Sequence, residues 1–152
     1  MNEPVRIVSL FNKLYNSNPW IDVNIVDTLS NLTADQAAKK VLNNCNSIWE
    51  ITNHIIDWRL NVLQRIQGKV IKSAANNYFY EIKEPTPQAW QDTINKLAYS
   101  QAQWIELLAQ IKSEDYEKKY PVNDMTYYEH IQGIIQHDAY HLGQIVLLKK
   151  LL

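Results

Sequence analysis

Apolar residues recur every three to four positions along four long stretches of this chain, the spacing of an amphipathic helix. The first stretch covers about residues 4–17, with Val5, Ile7, Val8, Leu10, Phe11 and Leu14 as its apolar members. It stops at Asn16-Ser17-Asn18-Pro19. The second runs from about Cys45 to Gln67 and stops at Gly68; Ile48, Ile51, Ile55, Trp58, Val62 and Ile66 form its stripe. The third opens at Thr86-Pro87, an N-cap followed by proline at the first helical position. Trp90, Ile94, Leu97, Trp104, Ile105, Leu108 and Ile111 mark its face. The fourth begins near Thr126-Tyr127-Tyr128-Glu129, which has the capping-box form, and reaches almost to Leu152.

The intervening segments are less regular. Between Trp20 and Leu42 a second capping box, Thr33-Ala34-Asp35-Gln36, predicts one short helix. Residues 69–85 form a long connection containing Asn76-Asn77 and the aromatic run Tyr78-Phe79-Tyr80, the kind of segment that often walls a site. No stretch reads as a convincing strand. The expectation is an all-α fold, a four-helix bundle in a single domain over residues 1–152. Long connections separate helices 1 and 2 and helices 2 and 3. Either could cross over, so simple up-down-up-down order is not assured.

Composition narrows the function more than the fold. Only 3 glycines in 152 residues agree with long helices rather than many turns. Net charge is −1 and no basic block occurs, which removes the electrostatic basis for nucleic-acid binding. The single cysteine, Cys45, excludes an intramolecular disulfide and any cysteine-rich zinc site, and it fits a reducing compartment. No apolar run approaches the ~18–20 residues of a membrane span. The opening MNEPVRIVSLFNKLYN is too polar for a signal peptide, so the location expected is cytoplasmic.

The candidate chemistry lies in the fourth helix. His137 and His141 sit four residues apart, which puts two imidazoles on one face, one turn apart. On a helical wheel, Ile134, His137, Ile145 and Leu148 all lie within about 40° of His141. Both histidines therefore occupy the centre of the inward arc. Either they are core histidines bonded to carbonyls or carboxylates, or they are two ligands of one metal ion. His54, in the second helix, is the candidate third ligand; a three-histidine site would leave coordination positions open for reaction. His54 lies at the edge of its stripe, in line with Glu50, Asp57 and Asn61, so it is either a half-exposed surface histidine or part of a polar cavity wall.

Glu50 and Asp57 would then orient an imidazole or accept a proton; otherwise they are solvated charges. His130 lies on the same stripe as His137 but about 10 Å along the axis, too far to share the ion. Asp138 could bond a neighbouring helix or a histidine. Gln144 could support the site or link helices. Trp58, Trp90 and Tyr140 are candidate walls.

Two segments carry a resemblance to a known family. His137-Asp138-Ala139-Tyr140-His141-Leu142-Gly143-Gln144-Ile145 resembles the C-terminal helix motif of the DinB/YfiT-like superfamily, two histidines four apart followed by Gly-Gln-Ile. Ser47-Ile48-Trp49-Glu50-Ile51-Thr52-Asn53-His54-Ile55-Ile56-Asp57-Trp58 resembles its second-helix motif. The resemblance covers nearly the whole chain. It implies a four-helix bundle with His54, His137 and His141 as ligands of a divalent metal, nickel or zinc, and a frequent homodimer. It also implies, for some members, thiol-dependent transfer using bacillithiol, mycothiol or glutathione. Trp49, Ile56, Leu60 and Leu63 lie off the main stripe of the second helix; they would serve a homodimer or a second contact within the chain.

The reading that combines these is a metal-dependent enzyme, a thiol S-transferase, acting on a small-molecule substrate. Competing readings are metal-assisted hydrolysis by bound water, a non-catalytic metal or small-molecule binding protein, and buried histidines with no metal.

Overall fold

A computed structural model describes residues 3–152. Among them are six α-helices, a one-turn 3₁₀ helix at Ser113–Asp115 and no strand beyond an isolated bridge between Lys119 and Thr126. The helices are α1 (Glu3–Asn16), α2 (Ile25–Leu29), α3 (Ala34–Ala38), α4 (Ile48–Ile66), α5 (Pro87–Gln110) and α6 (Tyr127–Lys149). The four long ones, α1, α4, α5 and α6, are the four stripes read from the sequence.

Local chemistry sets their starts. Ser47 with Glu50 and Thr126 with Glu129 close full capping boxes on α4 and α6, and Thr86 caps α5 ahead of Pro87. Gly68, at φ 87°, supplies the left-handed residue that ends α4. The predicted box at Thr33 and Gln36 opens α3. The periodicity did not predict α2, which is five residues long and too short to show a period; Asn24 starts it by accepting from the Asp27 N–H at 2.8 Å.

α4 packs on α5 and α6, and α1 packs on the same two helices from the opposite corner. Two apolar clusters fix the helix directions. One joins Ile48, Ile51 and Ile55 of early α4, Trp90 of early α5, and Leu142 and Ile145 of late α6 to α2 and α3. The other joins Val62 and Ile66 of late α4, Trp104 and Leu108 of late α5, and Ile131 of early α6 to Ile7 and Phe11 of α1, whose last turn reaches the first cluster through Leu14. α4 and α5 therefore run the same way, and α1 and α6 run opposite to them. The connection from α4 to α5 must traverse the bundle, so this is the crossover.

The crossover is tied down along its length. The Ile71 N–H donates to the Tyr120 hydroxyl at 3.0 Å. The Trp58 indole donates to the Asn77 side chain at 2.9 Å, and the Asn61 amide to the Tyr78 hydroxyl at 2.6 Å. Asn77 and Tyr78 are both left-handed, at φ 53° and 61°. That conformation costs a tyrosine roughly 1–2 kcal/mol. The Asn61 bond holds it in place and turns residues 77–79 over His54.

The off-stripe face of α4 is covered within the chain. Trp49, Ile56 and Leu63 are buried, and the Trp49 indole packs against Trp90 at 5.1 Å and donates to Thr93 at 2.8 Å. Trp49, Ile56 and Leu60 pack in the first core cluster and Leu63 in the second, so this face makes a second contact within the chain. No helix among the described residues is long and apolar enough to cross a membrane.

Candidate metal centre

His54 projects from the second turn of α4, and His137 and His141 project from α6, the helix packed against it. Their rings converge, with centroids 4.5–4.9 Å apart. One nitrogen from each lies within 4.8 Å of the others, so the cluster can hold a metal ion. The His54 and His137 Nε2 atoms are 2.9 Å apart.

The outer nitrogens decide where the protons sit. His54 Nδ1 is 2.6 Å from the Asn77 carbonyl, which can only accept, so Nδ1 carries the proton. His141 Nδ1 faces the Gln144 amide oxygen at 2.6 Å; that amide is oriented by its own N–H donating to the Tyr140 hydroxyl at 3.1 Å. His137 Nδ1 faces an Asp138 carboxylate oxygen at 3.4 Å. In the neutral rings each Nε2 is then a lone pair turned inward. Two lone pairs meeting at 2.9 Å repel unless a metal ion or a shared proton lies between them. Two bonds of about 2.0–2.1 Å, the usual metal–imidazole length, span that gap. The donor set fits a divalent ion.

Burial keeps His54 and His141 in the ligating form. It pushes His54 down to about 4, overcoming the Asn77 carbonyl, which favours the cation. It lowers His141 as well, against the opposing bond to Gln144. Both are neutral donors at neutral pH.

Beneath His137 lies a buried ion pair. Arg59 Nε donates to Asp138 Oδ2 at 2.7 Å, with both side chains 1% exposed. Arg59 also donates to Gln101 at 3.1 Å, and its backbone carbonyl accepts from the Trp104 indole at 3.0 Å. Asp138 therefore makes both bonds left open from sequence, one to another helix and one to a histidine.

The three histidines open onto a cavity of about 550 Å³. Trp58, Phe79 and Tyr140 form its aromatic walls, and Asn46, Asn77 and Gln144 its amide walls. Phe79 stacks on His54 at 4.1 Å with the rings 7° from parallel. No carboxylate, lysine or arginine lines it.

Glu50 and Asp57 are not brought to this cavity. Glu50 caps α4 through the Ser47 N–H at 2.7 Å and pairs with Lys40 at 3.2 Å. Asp57, raised above the usual carboxylate range by burial, has Lys96 of α5 as its opposing charge. Trp90 is core, donating to the Leu32 carbonyl at 3.0 Å. His130 bonds the Thr126 carbonyl at 3.0 Å and packs on Tyr120, away from the cluster. Asn77 and Phe79 were named from sequence only as members of the 69–85 connection expected to wall a site; their contacts with His54 were not read.

The sequence profile of the DinB superfamily matches residues 23–145, a span that includes all three histidines. No curated protein and no solved structure matches the chain at a significant level. The profile covers most of the sequence, and with it the protein belongs to the DinB superfamily.

Proposed function

We propose that His54, His137 and His141 hold a divalent ion, nickel or zinc, and that the protein is an enzyme activating a low-molecular-weight thiol for transfer to an electrophilic small molecule. The observation that carries the metal is the pair of inward ring nitrogens at 2.9 Å, with every outer nitrogen tied to an acceptor. Three neutral imidazoles leave such an ion its full charge, which lowers the pKa of a thiol or water.

The protein's own groups do the rest. Asn77, Gln144 and Asp138 fix the three rings. Trp58, Phe79 and Tyr140 supply apolar walls against which a substrate displaces water. The cavity favours a thiol over water as nucleophile. Attack by a bound water that keeps its proton wants a proton acceptor within about 2.6–3.2 Å, and no carboxylate among the described residues lines the cavity. A thiol, with an ordinary pKa of about 8.5, needs only a modest shift to ionise at neutral pH.

The test begins with metal content, measured on protein purified without a histidine tag. The expected result is about one nickel or zinc ion per chain after reconstitution, lost in His141→Ala with the helical signal retained. Less than about 0.1 ion per chain would overturn the metal site. A screen of metal-loaded protein with thiols and an electrophile, beside His54→Ala, then tests the reaction. Turnover that needs no thiol would move the assignment to hydrolysis.

A further inference from the structure

A second concavity, of about 270 Å³, adjoins the histidine cavity. The two share Asn46 and Gln144 as walls, so they lie side by side across these two side chains. The second compartment differs in chemistry. Leu42, Ile51, Leu147 and Leu148 line it, with Cys45 at its wall. Ile51 and Leu148 belong to the core beneath, whereas Leu42 and Leu147 are 40% and 56% exposed and form its open side. Among the described residues no aspartate, glutamate, lysine or arginine lines either compartment.

From this we infer that the apolar compartment is a substrate subsite. It takes the uncharged alkyl or aryl arm of an electrophile whose reacting end lies in the histidine cavity. The inference rests on the proposed reaction at the histidines, and it names the class of molecule that reaction serves. A bare polar electrophile would use only the first compartment. A cationic one would find no counter-ion in either compartment, and a charged arm would find none in the apolar one. An apolar arm beyond Asn46 and Gln144 would cover the surfaces of Leu42 and Leu147 that the described residues leave exposed.

Cys45 supplies the reporter, because it is exposed, free and the only cysteine in the chain. The rate of its alkylation by N-ethylmaleimide is followed in the full-length, zinc-reconstituted protein with straight-chain alcohols from 1-butanol to 1-octanol as probes. The half-protecting concentration should fall roughly three- to fourfold for each added methylene, the factor expected for burying one CH₂. Leu42→Gln and Leu147→Gln, singly and together, should weaken protection by 1-octanol by tenfold or more in the double variant. Bound zinc is measured on every preparation.

Protection independent of chain length, or equal in the double variant and the parent, overturns the subsite even where zinc is bound at full occupancy. Loss of zinc with chain-length dependence intact overturns the metal reading and leaves the apolar compartment standing. Both leucine positions face solvent, so their substitution leaves the bundle folded, which the far-ultraviolet helical signal checks.

Discussion

Replacing Asp138 by asparagine keeps the side chain's size and removes its charge. Arg59 is then left 1% exposed with no anion beside it. Breaking a buried ion pair from one side costs about 3–5 kcal/mol. The amide oxygen can still accept from Arg59 Nε, and the bond to Gln101 remains, which places Asp138→Asn near the lower end, about 3 kcal/mol. A second loss falls on His137, whose Nδ1 would face an amide instead of a carboxylate. Removing such a supporting acceptor lowers metal affinity about 10–100-fold, and the long 3.4 Å contact points to the tenfold end. Urea unfolding of the metal-free protein measures the first effect, and zinc titration against a chelating dye measures the second.

Arg59→Met separates the two. It breaks the same pair, with a comparable loss of stability, but leaves the carboxylate facing His137 and the affinity near that of the parent. A folded Asp138→Asn protein with unchanged zinc affinity would refute the orienting role. A stability loss below about 1 kcal/mol would refute the energetic account of the buried pair.

Three further outcomes are expected. Gln144→Leu removes the 2.6 Å acceptor of His141 at a half-buried position, so zinc affinity should fall about tenfold while stability stays within about 0.5 kcal/mol, read by titration and thermal melting. Phe79→Ala strips the ring stacked on His54 and admits water, so the His54 imidazole of the metal-free protein should titrate well above its value of about 4, towards 6.5, in an NMR pH series; no upward movement would show that Phe79 does not desolvate it. The metal-free bundle should also weaken in mild acid. His54 has a folded value of about 4 against 6.5 unfolded, so the unfolded chain binds more protons between them; this contribution is intact above pH 6.5 and is lost as pH falls towards 4. It amounts to about 2 kcal/mol between about pH 7.5 and pH 5, measured by urea midpoints and absent from His54→Asn.

What was legible in the sequence follows the distance over which each bond is made. His137, His141 and Gln144 lie within two turns of one helix, so their alignment is fixed by helical geometry and readable at once. The four long helices were readable for the same reason, since stripes and capping boxes are local. Glu50 illustrates a local signal with a competing outcome. It shares a line with His54, but it also stands three residues after Ser47, and the capping box, with its 2.7 Å bond, claims the carboxylate before any site can.

His54 is the opposite case. On its own helix it sits at the edge of the stripe, yet it is 2% exposed, because the crossover brings Asn77 and Phe79 over it from more than twenty residues away. Its hydrogen-bond partner is a backbone carbonyl, which every residue type possesses, so no side-chain pattern announces it. The crossover's path follows from α4 and α5 running parallel, a property of packing that neither helix encodes alone. The second ring wall and the desolvation that keeps His54 a neutral donor are therefore tertiary. They form only when residues 77–79 close over the bundle, so loosening the Asn61–Tyr78 tie by Tyr78→Phe should weaken zinc binding without touching a ligand.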